Sequence, residues 1–121
     1  MNDELLKLYS HPTIQSKRGG WQHGDRYMCK HSGTVVMTVT WIDNQFGEKE
    51  YLPCCFNQSI WLPPLYSDEQ PERNLIFFVD GFDALKQYAI DSWVCITDKY
   101  QIEAKTPTEA VLGAIIAKEE I

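Results

Sequence analysis

The fold is decided by the stretch Ser92-Trp93-Val94-Cys95-Ile96-Thr97-Asp98, which is followed closely by Thr106-Pro107-Thr108-Glu109-Ala110. The first stretch is rich in aromatic and β-branched residues, which favour a strand. A second apolar stretch at 102–104 follows a polar break, so the pattern predicts a hairpin across residues 98–100. The strand pattern then gives way to a helical one.

A C-terminal helix is the most strongly signalled element of the chain. Thr106 is a good helix cap, Pro107 suits the first helical position, and Glu109 completes a capping box. The apolar residues that follow recur at helical spacing and predict one buried stripe, formed by Val111, Leu112, Ile115 and Ile116. We therefore expect this helix to pack into the core through these four side chains.

The remaining elements are predicted from periodicity and from turn residues. An amphipathic helix at 2–9 ends at His11-Pro12, and a helix is also predicted at Phe82–Tyr88. Residues 75–79 fit either a buried strand or a helical turn. Further strands are predicted at Arg26–His31, Thr34–Trp41 and Glu50–Phe56, and residues 57–73, with Pro63, Pro64 and Pro71, resemble a linker. The expected fold is α+β: about five strands in one mainly antiparallel sheet with two or three helices.

Composition limits the classes of function. The chain has 121 residues, so we expect a single domain over 1–121. A net charge of −6 argues against direct nucleic-acid binding. Apolar runs are too short to cross a membrane, and residues 1–4 do not resemble the start of a secretory signal. The expected location is the cytoplasm of a bacterial host.

A zinc site is the strongest candidate for metal chemistry. Cys29 and His31 are two residues apart on a predicted strand, and Cys54 or Cys55 from another strand could lie opposite them, with His23 nearby. The spacing matches no zinc ribbon, so we predict no metal and no cofactor. The four cysteines also lack a helix start or a neighbouring base that would activate a thiol. A non-enzymatic role is preferred, and catalysis is left open.

A basic and aromatic segment suggests two alternative functions. Lys17, Arg18 and Trp21, with Arg26 and Tyr27 close in sequence, could stack a base and hold a phosphate. The first alternative is a protein that binds or sequesters a small molecule or a nucleotide. The second is a small zinc-stabilised regulator that binds nucleic acid. Both remain open at the level of the sequence.

Three motifs occur in an order that resembles small accessory proteins of tailed phages and prophages, the phage ABA-sandwich group. They are Trp21-Gln22-His23-Gly24-Asp25, Trp61-Leu62-Pro63, and the C-terminal stretch beginning at Trp93 and continuing through Thr106-Pro107-Thr108-Glu109-Ala110. The resemblance implies a curved antiparallel sheet packed with helices. It implies no cofactor and no catalytic residue. Pro64, Pro71 and the acidic pair Asp68-Glu69 stand where that group has a compact helix start.

The sequence places a candidate partner-binding surface in the long segment 57–73. It combines aromatic and apolar residues with acidic ones, namely Trp61, Leu65, Asp68, Glu69 and Glu72. The predicted function is that of a phage accessory protein that binds a host protein with a basic surface. Inhibition of a host defence or nucleic-acid-processing system is the expected consequence, and homo-oligomerisation is left open.

Overall fold

The computed structural model describes residues 3–29, 36–43, 46, 49–52, 59–67 and 71–120. Over these residues the chain is α+β, with three α-helices and eight short strands. The helices are α1 (Asp3–Tyr9), α2 (Pro12–Ser16) and α3 (Pro107–Glu120). The strands are β1 (Arg26–Cys29), β2 (Val36–Thr38), β3 (Thr40–Asp43), β4 (Lys49–Leu52), β5 (Ser59–Trp61), β6 (Phe82–Ala89), β7 (Ser92–Thr97) and β8 (Gln101–Ala104). Two 3₁₀ turns, Pro71–Arg73 and Ile76–Phe78, connect the two halves.

The strands form three antiparallel sheets. The N-terminal sheet has the order β2-β1-β5, so that Tyr27 lies opposite both Met37 and Trp61. The C-terminal sheet has the order β6-β7-β8, and strands β3 and β4 pair with each other. Because β5 returns from the middle of the chain to β1, the N-terminal sheet depends on contacts between residues far apart in sequence.

The C-terminal core forms where α3 packs on β7 and β8. Helices α1 and α2 also contact α3, so α3 is covered by both the sheet and the other helices. This explains why its buried residues extend beyond the predicted stripe and include Ala110 and Ala114. The predicted stripe itself is confirmed, and Thr106 Oγ1 accepts a hydrogen bond from the Glu109 backbone N–H at 3.2 Å.

A second, smaller core supports the N-terminal sheet. It is built from aromatic and small apolar side chains, namely Trp21, Tyr27, Cys29, Val39 and Trp61. Trp21 and Tyr27 meet edge to face with ring centroids 5.8 Å apart, and Phe78 meets Trp61 in the same way at 6.1 Å. Phe78 thereby joins the connecting 3₁₀ turns to this core.

The expectation of about five strands in one sheet is not confirmed. The predicted strand 34–41 is divided at Val39, whose backbone bonds to Gly24 and Asp25 are the last that join this segment to the β1 side. Its first part, β2, pairs with β1, and its second part, β3, pairs with β4. The linker-like reading of 57–73 was also incomplete, because residues 59–61 form β5.

One local prediction was wrong, and a second was correct but incomplete. Phe82–Tyr88 is a strand, since it forms a long hairpin with β7 that overrides its helical spacing. His11-Pro12 does end α1, but it also begins α2: His11 Nδ1 accepts a hydrogen bond from the Thr13 N–H at 3.2 Å, and Pro12 occupies the first turn. Residues 76–78 form a 3₁₀ turn.

In the described part of the chain, no helix combines the length and apolarity needed to cross a membrane.

Candidate functional site

The Trp21–Asp25 motif forms a tight turn that positions one carboxylate. The Asp25 N–H donates to the Gln22 carbonyl at 3.1 Å, and Gly24 has a φ of 90°, a value that glycine adopts readily. The Gln22 N–H in turn donates to Asp25 Oδ2 at 2.8 Å. These bonds hold the Asp25 side chain inside the protein, where only 2% of its surface is exposed.

Asp25 forms a buried, two-point ion pair with Arg73. Arg73 Nε donates to Asp25 Oδ1 at 2.7 Å, and Arg73 Nη2 donates to Oδ2 at 2.6 Å. The same guanidinium donates to the backbone carbonyls of Arg18 at 2.9 Å and Gly20 at 3.3 Å. Arg73 therefore ties the first 3₁₀ turn to the loop 17–25, across 48 residues of sequence.

Trp61 lies beneath this ion pair. The Arg73 guanidinium carbon lies 4.8 Å from the Trp61 ring centroid, and the indole is 1% exposed. The Gln15 side chain brackets the Trp61 backbone: Oε1 accepts from the Trp61 N–H at 2.8 Å, and Nε2 donates to the Trp61 carbonyl at 2.9 Å. Because β5 is at the edge of its sheet, the outward N–H and carbonyl of Trp61 have no neighbouring strand to pair with, and Gln15 supplies their hydrogen-bond partners.

Two recesses open beside these residues, and Tyr66 lines both. The first, which we name the polar cleft, has a volume of about 180 Å³ and is lined by Gly24, Asp25, Arg26, Trp61, Pro64, Tyr66, Ser67 and Arg73. The second, which we name the aromatic pocket, has a volume of about 160 Å³ and is lined by Tyr66, Pro71, Asn74, Ile76 and Phe77. Their common wall, the Tyr66 side chain, is 70% exposed.

The aromatic pocket contains one unsatisfied polar atom. Asn74 is 4% exposed and donates through Nδ2 to the Ser67 carbonyl at 2.9 Å, whereas its Oδ1 has no hydrogen-bond partner among the described residues. Exchanging the two amide atoms would place an oxygen against the Ser67 carbonyl, so the observed orientation is the favourable one. Asn74 therefore keeps one buried acceptor unsatisfied beside the pocket.

The predicted partner-binding residues are only partly at the surface. Trp61 is buried under Arg73, Leu65 is half-buried against the C-terminal core, and Glu72 is exposed in the first 3₁₀ turn. Asp68 and Glu69 lie outside the described residues. Trp61 is therefore part of the interior beneath this surface, and the exposed aromatic side chains next to it are Tyr66 and Phe77. Partner binding by the predicted set stays a prediction.

Of the predicted metal residues, most lie outside the described part of the chain, whereas three of the predicted nucleic-acid residues, Arg18, Trp21 and Tyr27, do lie together. Cys29 is buried in the N-terminal core and His23 is exposed, whereas His31, Cys54 and Cys55 lie outside the described residues. Within the described ranges, no group of three His, Cys, Asp or Glu side chains has the arrangement of a metal site. The proposed stacking face of Trp21 is occupied by Arg18, whose guanidinium carbon lies 4.2 Å from the ring centroid.

Burial changes the acid–base behaviour of three groups near the cores. It raises the pKa of Tyr9, whose hydroxyl donates to the Pro63 carbonyl at 3.2 Å, to about 12, and the nearby Arg26 charge opposes this shift. Burial also raises the pKa of the Cys95 thiol, which makes it a poor nucleophile at neutral pH. Arg18 has a lowered pKa because it is partly buried and lies near the positive charge of Arg73.

Sequence reasoning missed the central residues of this region. Asp25 was named only as part of the Trp21–Asp25 motif, and Arg73, Tyr66, Asn74 and Phe77 were not singled out. The available signal was weak: Arg73 is one of two basic residues within the acidic segment 66–91. Its pairing with Asp25 requires the fold to bring together residues separated by 48 positions.

Comparison of the chain with protein-family models, curated proteins and solved structures finds no match in any of the three.

Proposed function

We propose that the protein is a non-enzymatic binding protein that acts by engaging a second protein with a basic surface. The observation that carries this proposal is the aromatic pocket, where Tyr66 and Phe77 are 70% and 68% exposed beside Pro71 and Ile76. Large aromatic side chains around an apolar recess are typical of the energetic centre of protein interfaces. The action on a host defence or nucleic-acid-processing system belongs to the same proposal and rests on the phage resemblance.

The backbone beneath the pocket is well anchored, which supports binding at low entropic cost. Leu75 is fully buried, and its N–H donates to the Pro64 carbonyl at 2.9 Å. The Asn74 side chain ties the same turn to Ser67. Because the backbone at the base of the pocket is already ordered in the unbound protein, a partner does not have to pay for ordering it.

The polar features of the pocket support a partner rich in hydrogen-bond donors. Asn74 Oδ1 is an acceptor that has no partner among the described residues. A backbone N–H or a lysine ammonium next to an inserted apolar side chain would satisfy it once the Asn74 side chain turned towards the pocket, since the atom is buried in the unbound protein. The exposed Glu72 lies one residue from Pro71 in the same turn, and the chain has a net charge of −6. Both features favour approach by a basic surface.

Site-specific photo-crosslinking tests the proposal. A photoreactive phenylalanine analogue replaces Phe77 in one variant and Tyr88 in a matched control. Tyr88 is a similarly exposed aromatic residue, at 66%, on the separate β6–β7 hairpin. In a bacterial lysate, position 77 is expected to capture a discrete protein that position 88 does not capture. Purification of that protein then allows direct binding measurements.

A second measurement isolates the electrostatic part of the proposal. Replacing Asp68, Glu69 and Glu72 with Lys should preserve the fold, because solvated charges contribute little to stability. The same change should weaken binding of the captured protein and reduce the salt dependence of its association rate. Unchanged affinity and salt dependence would show that the acidic residues play no part. If position 77 crosslinks only to other copies of this chain, the surface mediates self-association, and the proposal of a different protein partner is wrong.

A further inference from the structure

The polar cleft differs in chemistry from the aromatic pocket next to it. It is lined by the charged residues Arg26, Arg73 and Asp25 and by the hydroxyl-bearing residues Tyr66 and Ser67. We propose that this cleft binds a small oxyanion, namely the carboxylate or phosphate group of a small molecule. This binding is separate from the protein–protein interaction proposed above, because it uses a different recess and a ligand of opposite charge to the proposed partner.

The first argument is an excess of positive charge. Arg73 pairs with Asp25, and Arg18 lies close enough to both to be affected by their charges, while Arg26 follows Asp25 in sequence and lines the same cleft. The Asp25 carboxylate is engaged by Arg73 and by the Gln22 N–H. Neither Arg18 nor Arg26 has a carboxylate partner among the described residues. A chain with net charge −6 thus concentrates cations at one place. A bound anion would compensate them.

The second argument is the geometry of Arg73. Its guanidinium has five N–H donors, and four of them are used by Asp25, Arg18 and Gly20. The remaining donor, on Nη1, has no partner among the described residues. Since Asp25 and the Trp61 ring hold the guanidinium in place, this donor is fixed before any ligand arrives.

Arg26 supplies the adaptable part of the site. It begins β1 directly after Asp25, and its side chain is exposed, so its guanidinium can close over a ligand at the mouth of the cleft. Burial lowers the pKa of Arg18, and the nearby positive charge of Arg73 lowers it further. An anion bound in the cleft would lie close to these positive charges.

The size of the cleft limits the ligand. A cavity of about 150 Å³ accommodates benzene, and the polar cleft has about 180 Å³. Pockets for drug-sized ligands are larger, roughly 300–1,000 Å³. The cleft therefore accepts one anionic group with a few attached carbon atoms, and it is too small to enclose a nucleotide.

An NMR titration of the arginine side chains tests this inference. Inorganic phosphate and acetate are added separately to the protein at constant ionic strength, and the Nε–H signals of Arg26 and Arg73 are followed. We expect a saturable shift with at least one anion. Arg26→Gln should weaken that binding by roughly tenfold or more, since a hydrogen bond to a charged group is lost. Saturation by only one of the two anions identifies the preferred group.

The control separates site binding from general attraction of anions. Lys86→Gln removes one positive charge from an exposed position on β6 and should leave the titration unchanged. Linear shifts without saturation, or equal affinity in the wild type and the Arg26→Gln variant, would overturn the inference. Neither outcome bears on partner binding at Phe77, so failure here is distinct from failure of the proposed function.

Discussion

The two halves of the molecule are held together by different means. In the C-terminal half, α3 covers a hairpin-connected sheet through aliphatic side chains, and most contacts join elements that follow one another in sequence. In the N-terminal half, β5 joins β1 from a distance, and polar side chains secure the arrangement: Gln15 on the Trp61 backbone, and Arg73 on Asp25. The polar cleft is lined by Asp25, Trp61 and Arg73 from these polar ties, and the aromatic pocket lies at the 3₁₀ turns between the two halves.

The largest effect on stability is expected in the C-terminal half. Ile115 is 2% exposed within α3, so Ile115→Asp buries a charge without a partner. We expect a loss of at least about 3 kcal/mol in the free energy of unfolding, enough to unfold a marginal domain. Chemical denaturation followed by circular dichroism measures it, with Gln101→Asp at an exposed position as the control. If the denaturation midpoint of Ile115→Asp equals that of the wild type, α3 is not part of the core.

The corresponding change to the polar contacts of the N-terminal half is Arg73→Met. It leaves the Asp25 carboxylate buried without its partner, which should cost about 3–5 kcal/mol. The double variant Asp25→Leu/Arg73→Met removes both charges and should recover part of this loss. Urea denaturation of both variants measures the difference. If the double variant is less stable than Arg73→Met alone, the cost does not arise from an unpaired buried charge.

Alkaline pH should weaken the contact between α1 and the Pro63 segment. The pKa of Tyr9 is about 12 in the folded protein, against an ordinary value of 10.0, so folding favours the neutral hydroxyl. The stability from this group is fully present below pH 10 and is lost as the pH rises towards 12, by roughly 2–3 kcal/mol. Tyr9→Phe should reduce this pH dependence, as measured by unfolding at pH 8 to 12. If the free energy of unfolding falls equally with pH in the wild type and in Tyr9→Phe, groups other than Tyr9 cause the loss of stability.

A smaller, paired prediction compares one glycine from each half. Gly81 has a φ of 68°, and an added Cβ would collide with the Asp98 carboxylate, so Gly81→Ala should cost about 1–2 kcal/mol. Gly20 has open space at the Cβ position, and Gly20→Ala should be neutral or stabilising by up to about 1 kcal/mol. Thermal unfolding of both variants measures the contrast. Equal melting temperatures would show that the turn before β6 tolerates a side chain.

The same contrast explains which features could be predicted from the sequence. The β7–β8 hairpin and α3 were predicted because their strand pattern, cap residues and apolar spacing are local. The N-terminal sheet was predicted poorly because Val39 divides one apparent strand and β5 pairs with a strand some 30 residues away. Glu72 could be identified as a surface acid from its local sequence. Phe77 and the Asp25–Arg73 pair could not be identified, because their roles depend on contacts between distant parts of the chain.

Affinity of the captured partner for two alanine variants tests the central claim most directly. Phe77→Ala removes a wall of the aromatic pocket, whereas Tyr88→Ala removes a similarly exposed ring from the β6–β7 hairpin. The account predicts that Phe77→Ala weakens binding by about 30-fold, as expected for loss of an aromatic interface anchor, and that Tyr88→Ala binds like the wild type. Equal affinities of Phe77→Ala and the wild type would contradict it.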